Sequence, residues 1–446
     1  MKNILTATVL ALSLSLTAQE TVLPAKPQTD PIYIINAIIH VGNGTVIEKG
    51  TIRVEAGKIV AVGDNIPVPR SANIQVVDAA GKHVYPGLIL PTSSLGLVEI
   101  SAVRATQDAR EIGDLNPNVR SLVAYNSDSK VINTLRSNGV LLANVVPQGN
   151  FVAGSSSLVQ LDAWNWEDAA YQADGGIHVY FPSLMARPSG GRFGGGGGMG
   201  GPREMAGDPV KEGLEKIESF KQFLREAKAY QALPAHEQTN LKFEAVKGLL
   251  SKKQKLYVHG NTVKQILAAL DFVQEFGVDL VIVGGSESYQ VADLLKKYNV
   301  SVILQQPHSL PTSDDDDVDQ PYKTAAALQK AGVLFSISDD DSQTRGRNLA
   351  FNAGTAAAYG LSNEEALASI TLNAAKIIGV SDRTGSIEVG KDANILISEG
   401  DILDMKSSNV TLALIQGRQI DLTDKHKLLN RRFEEKYEIN KAKKGF

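Results

Sequence analysis

Three histidines and two adjacent aspartates lie where their side chains could bind a metal ion. His178 lies in the apolar run GGIHVYF, His259 ends the run KLYVHG, and His308 follows the run VSVILQQ. Asp339 and Asp340 follow the run GVLFSIS. Three imidazole nitrogens and one carboxylate, from His178, His259, His308 and Asp340, would satisfy a tetrahedral zinc-like ion. The alternative is that His178 and His308 are ordinary histidines hydrogen-bonded to backbone.

Other catalytic groups are scarce in this sequence. The chain has no cysteine, which excludes thiolate catalysis, disulfides and cysteine-bound metal. The serines of GSSSLV, Ser155–Ser157, lack the GxSxG pattern of a nucleophile, so we interpret them as a turn before a strand. The glycine tract 189–201 has no following Gly-Lys-Ser/Thr, so it is interpreted as a loop insertion without phosphate binding.

The elements that would position the candidate ligands change in type along the chain. Residues 32–84 alternate β-branched residues with Gly and Asn, as antiparallel strands and hairpins do. Short, fully apolar runs then alternate with helical stretches such as NTVKQILAALDFVQEFG. Buried strands that alternate with helices predict a parallel sheet, and their number suits a barrel. His259 ends one such strand, where barrel sites form.

The last part of the chain returns to strands. Ser362 and Glu365 predict a capping box at the start of the helix SNEEALASITLNAAKIIG, which closes the barrel segment. The strands GSIEVGKDANILIS and VTLALIQGRQI resemble the opening block, so we expect both ends of the chain to complete one sandwich. The basic tail 425–446 is predicted to be helical or frayed.

Size, charge and the N-terminus limit the function classes. A chain of 446 residues suits one large barrel with a satellite domain. The net charge of −4 gives no reason to expect nucleic acid as a partner. Lys2, the apolar run 4–16 and small residues near Ala18 predict a cleaved secretory signal, and therefore a periplasmic or secreted protein without a membrane span. The acidic run 313–320 is interpreted as a solvated loop, with calcium binding as the alternative.

Three stretches together resemble the amidohydrolase superfamily, particularly its imidazolonepropionase-like branch. They are GTIRVEAGKIVAVG with GKHVYPGLI, KLYVHGNTVKQILAALDFVQEFGVDLVIVGG, and GLSNEEALASITLNAAKIIGVSDRTGSIEVGKDANILISEGDILD. The resemblance implies an α/β fold: a (β/α)8 TIM-like barrel with a small β-sandwich formed from the N- and C-terminal segments. The expected organisation is a signal at 1–18, a sandwich from 32–84 and 386–424, a barrel at 85–385 that contains the insertion 189–201, and the tail 425–446.

The first metal-binding motif of that superfamily is altered here. Active members hydrolyse amide, lactam or similar bonds with one or two divalent metals, and their first ligands come from the motif PGLIDxHxH. The matching text is PGLILPTSS, in which Leu90 stands at the Asp position and Thr92 and Ser94 stand at the two His positions. A neutral hydroxyl is a poor zinc ligand beside imidazole or carboxylate.

The other ligand positions are kept in part. The resemblance assigns His259 to the fifth-strand ligand and places His178 where the fourth strand has a bridging lysine. The sixth-strand histidine is replaced by Gly284, or by Val283 if the alignment slips by one residue. Neither residue can bind metal.

The eighth-strand aspartate, which acts as ligand and base in the superfamily, corresponds to Asp339 or Asp340, and we prefer Asp340. The expected cofactor is therefore at most one divalent, zinc-like metal ion, or none. Two hypotheses follow: a hydrolase of non-peptide carbon–nitrogen bonds with an atypical metal centre, or a catalytically inactive binding or partner subunit. The expected partners are a small-molecule substrate or ligand, and an amidohydrolase paralogue or a second copy of the chain.

Overall fold

The chain forms two hydrogen-bonded sheets, one curved into a barrel and the other built from both ends of the chain. A computed structural model describes residues 23–70, 73–185, 208–235, 238–312, 315–339 and 344–437. The predicted signal, the glycine-rich insertion 189–201 and Asp340 lie outside these residues.

The described residues contain sixteen strands and thirteen α-helices. The strands are β1 (Ile32–His40), β2 (Val46–Glu55), β3 (Lys58–Gly63), β4 (Gln75–Asp78), β5 (His83–Pro86), β6 (Leu88–Ser93), β7 (Val140–Val145), β8 (Val152–Gln160), β9 (Ala170–Tyr180), β10 (Lys255–Gly260), β11 (Leu280–Gly284), β12 (Ser301–Leu304), β13 (Phe335–Ile337), β14 (Ile395–Ser398), β15 (Val410–Ile415) and β16 (Arg418–Gln419). The helices are α1 (Ser121–Ala124), α2 (Lys130–Ser137), α3 (Trp166–Ala169), α4 (Pro209–Gln231), α5 (Leu241–Ala245), α6 (Lys247–Leu250), α7 (Val263–Phe276), α8 (Ala292–Lys297), α9 (Gln320–Ala331), α10 (Leu349–Ala358), α11 (Asn363–Ser369), α12 (Leu372–Ile378) and α13 (Lys425–Lys436).

Strands β6 to β13 form the barrel sheet in chain order. Seven of these eight strands run parallel, whereas β8 runs antiparallel to both of its neighbours. The connection from β7 to β8 is too short for the crossover that two parallel strands need, so the chain turns back as a hairpin. The predicted TIM-like barrel is confirmed, with this one reversed strand.

The serines Ser155–Ser157 lie inside β8, so their interpretation as a turn was wrong. All nine residues of β8 are buried, and the strand has a hydrogen-bonded neighbour on each side. Hydroxyls at such positions need partners. Ser156 Oγ lies 2.8 Å from His178 Nε2, and Ser157 Oγ accepts a hydrogen bond from the Asp174 backbone N–H.

The barrel interior has an apolar floor and a polar upper layer. Helix α12 packs against β6 and β13, and Ile377 of α12 packs with the side chains of Tyr257, Val281 and Val283. The Lys255 Nζ at the start of β10 donates a hydrogen bond to the carbonyl of Ile377 at 2.6 Å, which places the end of α12 at the N-terminal ends of the strands. The polar residues that the sequence singled out lie at the opposite, C-terminal ends.

The second sheet joins the first and last parts of the chain. Its order is β16, β15, β14, β5, β1, β2, β3, and β4 also pairs with β1. The link between the two parts is the antiparallel pair β5–β14, in which Pro86 lies opposite Ile395. One apolar core contains residues of both parts, among them Ile39 and Ile397. The expected shared sheet of the two chain ends is therefore confirmed.

Two barrel helices begin with capping boxes that fix where the preceding loops end. In α7 the Thr262 side chain accepts from the Gln265 backbone while the Gln265 side chain accepts from the backbone of Thr262. In α11 the same reciprocal bonds join Ser362 and Glu365, which confirms the predicted box. Each box satisfies two backbone N–H groups that a helix start would otherwise leave unpaired.

Candidate functional site

The first-strand position of the site is a pair of hydroxyls. Strand β6 carries Thr92, which is fully buried, and its Oγ1 lies 2.7 Å from Ser338 Oγ just after β13. The Ser338 hydroxyl also donates to the Thr92 carbonyl at 3.2 Å, so the Thr92 hydroxyl is the donor in the side-chain pair. These two bonds link the ends of the first and last barrel strands, β6 and β13. Ser94 is buried next to this pair in the chain, and its carbonyl accepts from the Leu97 N–H.

Two imidazoles from adjacent parallel strands form the centre of the upper layer. His178 of β9 and His259 of β10 approach with Nδ1 and Nε2 2.9 Å apart. The other nitrogen of His178, Nε2, lies 2.8 Å from Ser156 Oγ of β8. The result is a hydrogen-bonded chain, Ser156–His178–His259, that runs across three strands. Both ring nitrogens of His178 have protein partners.

Two tyrosines stack on these imidazoles. The His178 ring lies parallel to the Tyr257 ring with centroids 4.5 Å apart, and the His259 ring stacks on Tyr180 at 3.9 Å. Burial, followed by the proximity of His259, lowers the pKa of His178 well below its ordinary value. Burial lowers the pKa of His259 to about 3. Both rings are therefore neutral at pH 7, which suits the single N–H···N bond between them.

The sixth-strand position offers no side chain. Gly284 ends β11 with a φ of +100°, and a Cβ atom built there would lie 2.4 Å from Asn261 Oδ1. A histidine at this position would need both a left-handed backbone and a displaced Asn261. Val283, the residue that a one-residue slip would choose, is buried in the apolar layer with Tyr257.

The described aspartate after the eighth barrel strand lies against a helix. Asp339 is buried, its Oδ2 accepts from Asn352 Nδ2 of α10 at 3.0 Å, and its Oδ1 lies 3.5 Å from Arg345 Nε. The preceding Ser338 contacts β6 instead. Asp340, the preferred base and ligand, lies outside the described residues, so the choice between Asp339 and Asp340 stays a prediction.

His308 has different neighbours from the other two histidines. It is exposed, its Nε2 lies 3.2 Å from Thr355 Oγ1 of α10, and its ring meets the Tyr322 ring edge-on. None of its described contacts reaches His178 or His259. Across the described ranges, no three His, Asp or Glu side chains are grouped as a metal site requires. Of the three proposed ligands that the structure describes, it brings together two, His178 and His259.

The donor set of the described residues does not fit the metal centre of the superfamily. Such a centre needs three or more imidazole or carboxylate donors. At the corresponding strand ends this chain has the hydroxyls of Thr92 and Ser338, two imidazoles bonded to one another, and the backbone of Gly284.

Four residues of this layer were missed by sequence reasoning: Ser156, Ser338, Tyr180 and Tyr257. Tyr257 and His259 are two residues apart on one strand and therefore share a face, which was a usable signal. Ser156 was missed because it was interpreted as part of a turn. Its contact with His178 depends on the reversed direction of β8.

The acidic run is tied to its surroundings where it is described. Lys323 Nζ lies 2.6 Å from carboxylate oxygens of both Asp317 and Asp319, and the Tyr289 hydroxyl donates to Asp316 at 2.7 Å. The hydrogen bonds from Lys323 lower the pKa of Asp317. Calcium binding by this run stays a prediction.

No helix in the described part of the chain has the length and hydropathy to cross a membrane.

Sequence comparisons relate the chain to amidohydrolases. The model of the amidohydrolase family matches residues 167–420, more than half of the chain. The amidohydrolase tasK of Hapsidospora irregularis is 22% identical over 439 residues, which cover 88% of this chain and 43% of tasK. The imidazolonepropionase of Thermoplasma volcanium is 36% identical over 86 residues, 19% of this chain and 21% of that enzyme. The chain thus spans less than half the length of these curated relatives.

A solved structure extends the similarity over most of the chain. The crystal structure of an amidohydrolase from Thermotoga maritima MSB8 superposes with a TM-score of 0.75 at 26% sequence identity. The match covers 87% of this chain and 99% of the other. The resemblance to amidohydrolases predicted from the sequence is confirmed.

Proposed function

This chain belongs to the amidohydrolase family, and from that premise we propose that it is a non-hydrolytic binding subunit. It keeps the family's barrel and uses the strand ends for binding instead of metal-dependent hydrolysis. The observation that carries the proposal is the hydrogen-bonded pair of His178 and His259, whose ring nitrogens face each other at 2.9 Å.

The pairing of the two histidines leaves few ring nitrogens free to bind a cation. A metal ion needs a ring lone pair from each histidine, and the N–H···N bond uses one nitrogen of each ring. The second nitrogen of His178 is engaged by Ser156. At the first-strand position, the hydroxyls of Thr92 and Ser338 likewise satisfy each other.

The energetic consequence argues against hydrolysis without a metal. A zinc-type ion lowers the pKa of bound water from about 15.7 to about 7, so forming hydroxide without it costs about 12 kcal/mol more. A general base typically recovers a factor of about 10² to 10⁴ in rate, or about 3 to 5 kcal/mol. His259, with its pKa lowered to about 3, is a weak base at neutral pH.

A second candidate function is hydrolysis of non-peptide carbon–nitrogen bonds with one zinc-like ion. It is favoured by the position of His178 and His259, which present two imidazoles side by side at the ends of adjacent strands. In this alternative Asp340 would complete the donor set and act as base. His308 would join only if its contacts with Thr355 and Tyr322 were broken.

Metal content separates the two candidates. The wild-type protein, His259→Ala and the matched control His308→Ala are each purified, dialysed and exposed to one equivalent of zinc. Elemental mass spectrometry then gives the zinc that each protein holds. The binding-subunit proposal expects well under one tightly held equivalent in all three proteins. About one equivalent that resists dialysis in the wild type and in His308→Ala, but is lost in His259→Ala, would overturn it in favour of the hydrolase.

The partner proposed for such a subunit is an amidohydrolase paralogue or a second copy of the chain. Mass measurement by light scattering tests the second copy directly. Co-purification from the source organism, with the recovered partner identified by mass spectrometry, tests the paralogue. If the protein is a monomer and no amidohydrolase-fold protein co-purifies with it, both proposed partners are contradicted.

We also propose export of the chain. The support is the N-terminal pattern of Lys2, the apolar run 4–16 and small residues near Ala18. Cell fractionation and the intact mass of the mature protein test it. Export predicts a chain shortened to a start near Ala18 and found outside the cytoplasm, whereas an intact N-terminus in the cytoplasmic fraction contradicts it.

A further inference from the structure

The C-terminal helix α13 is attached to the rest of the fold at its start only. None of its twelve residues is buried, whereas α4 and α7 each bury several. The first turn is fixed, because Asp424 caps it and accepts a hydrogen bond from the Ser137 hydroxyl of α2. From Arg431 to the C-cap Tyr437, every residue except Glu434 is exposed. The second half of the helix therefore projects into solvent.

Two exposed aromatic rings lie side by side in this second half. Phe433 and Tyr437 are 51% and 62% exposed, and their rings stack with centroids 6.3 Å apart. Lys436 Nζ lies 5.1 Å from the centre of the Tyr437 ring and 6.0 Å from that of Phe433. Adjacent exposed aromatic rings, unlike single exposed apolar residues, indicate a surface that another molecule covers.

The charge around the two rings is positive. Residues 425–446 hold eight Lys or Arg and three Asp or Glu, a net charge of +5, whereas the whole chain has −4. Within α13, Arg432 and Lys436 are four residues apart and therefore lie on one side of the helix, next to Phe433. We call Arg432, Phe433, Lys436 and Tyr437 the basic-aromatic face.

The two acids of the helix lie away from this face. Glu434 is half-buried, so its side chain lies toward the body of the protein. Glu435 follows Phe433 by two residues, which places it about 200° around the helix axis from that ring. An anionic group that approaches the two rings therefore meets Arg432 and Lys436.

Basic side chains beside exposed aromatic rings suit the surface of an anionic bilayer. The cations attract headgroup phosphates, and the rings fit the boundary between headgroups and acyl chains. An acidic protein surface would pair with the cations but would leave the rings without an apolar layer. Nucleic-acid bases would stack on ring faces, but Phe433 and Tyr437 already stack on each other. The observations thus favour a lipid surface.

We propose that α13 binds the surface of a lipid bilayer that contains anionic phospholipids, through Arg432, Phe433, Lys436 and Tyr437. The helix lies along the headgroups and does not cross the bilayer. The three lysines within 441–444, which follow it in the chain, add to the attraction. This proposal goes beyond the binding function of the barrel and does not depend on whether the barrel holds a metal ion.

Sedimentation with vesicles tests the proposal. Vesicles of pure phosphatidylcholine are compared with vesicles of equal parts phosphatidylcholine and phosphatidylglycerol. We expect the anionic vesicles to bind the protein about ten-fold or more tightly. Binding should weaken when the salt concentration rises from about 0.1 M to about 1 M, because the Debye length falls from about 10 Å to about 3 Å. Equal affinity for the two kinds of vesicle, or no binding to either, would overturn the proposal.

The N-terminus needs its own control in this experiment. The apolar run 4–16 could bind lipid by itself. Both the full chain and the chain that begins at Gln19 are therefore used, and the shorter chain keeps every residue that the structure describes. The preference for anionic vesicles should be present in both forms. A preference found in the full chain alone would assign the binding to the N-terminus and overturn the role of α13.

A pair of charge variants tests the cations of the face. Arg432→Gln combined with Lys436→Gln should weaken binding to the anionic vesicles about ten-fold or more. Lys242→Gln combined with Lys247→Gln removes the same charge from exposed positions on α5 and α6 and should leave binding unchanged. Equal losses in the two double variants would indicate general charge attraction and would overturn the proposal.

Removing the two rings separates a bilayer from other anionic partners. Phe433→Ser combined with Tyr437→Ser keeps the charge and should weaken vesicle binding about ten-fold or more. Met405→Ser, at another exposed apolar side chain, should leave it unchanged. Undiminished vesicle binding without the rings would make α13 a general site for polyanions. That result would overturn the bilayer assignment, as would tighter binding of a single-stranded oligonucleotide than of the anionic vesicles.

Discussion

The Nδ1 atom of His178 and the Nε2 atom of His259 lie 2.9 Å apart, although 81 residues separate the two histidines in the chain. The parallel pairing of β9 with β10 places them there, because His178 lies opposite Tyr257 and His259 opposite Tyr180. Each imidazole consequently stacks on a tyrosine of the neighbouring strand. This arrangement makes several properties of the protein measurable.

Stability should fall as acid is added, because both imidazoles are held neutral. Their pKa values are lowered in the folded protein, that of His259 to about 3, while an unfolded histidine titrates near 6.5. Below pH 6.5 these two histidines bind protons in the unfolded chain but not in the folded chain. The free energy of unfolding is therefore highest above pH 6.5 and decreases as the pH falls toward 3. Each histidine contributes up to about 1.4 kcal/mol per pH unit to this slope.

In the His178→Gln variant, the part of this pH dependence that comes from the two histidines should be about half as steep, because only His259 remains. The measurement is the urea-derived free energy of unfolding between pH 7 and 4. His308→Gln serves as the control, since His308 is exposed and contacts neither residue of the pair. A His178→Gln slope equal to that of the wild type would show that His178 is not buried in the neutral form.

Removing the Ser156 hydroxyl should destabilise the fold. Ser156→Ala leaves Nε2 of His178 without its partner at a fully buried position, which costs about 1–3 kcal/mol. Ser219→Ala, on the exposed face of α4, should change the unfolding free energy by less than about 0.5 kcal/mol. Equal effects of the two substitutions would contradict the hydrogen-bonded chain.

Restoring a histidine at the sixth strand should damage the protein instead of rebuilding a metal site. Gly284→His places a side chain on a backbone with φ +100° and against Asn261, so we expect a loss of more than about 2 kcal/mol. Gly63→His is the matched control, because a Cβ there meets nothing within 4 Å and φ is not positive. Thermal unfolding of both variants is the measurement, and similar melting temperatures would refute the steric account.

A buried ion pair should matter more than an exposed one. Asp162 accepts hydrogen bonds from Arg136 Nη1 at 2.7 Å and from the Ala25 N–H at 3.0 Å, and its side chain is 1% exposed. Asp162→Ala leaves Arg136 buried without its counterion and should cost about 3–5 kcal/mol. Glu275→Ala, which removes a surface partner of Arg225, should cost about 1 kcal/mol or less. Denaturant unfolding compares them, and a small effect at Asp162 would contradict the burial argument.

Much of the fold could be predicted because its signals are local or repeat along the chain. The apolar runs that became β7 and β9 to β13 are short and bounded by polar residues, and the capping box at Ser362 depends on two residues three apart. The pairing of the two chain ends was predicted from the similar composition of their strands. The loss of the first histidine motif at Thr92 and Ser94 is a property of the sequence alone.

The bonding within the site could not be predicted, because it depends on register and direction between strands. No local pattern indicates that β8 is reversed, and only that reversal brings Ser156 to His178. The Thr92–Ser338 bond joins residues 246 apart, and each residue alone is typical of a buried strand end. The sequence shows a glycine at position 284, but it does not show that the backbone there has a positive φ.

The β5–β14 pair has a consequence for how the protein is made. Strand β5 is complete at Pro86, but its partner β14 begins only at Ile395, so more than 300 residues are synthesised before that edge of the sheet is covered. Such long-range pairing slows folding, and an uncovered edge invites pairing with other chains. This sheet therefore cannot be completed until the residues from Ile395 onward have been synthesised.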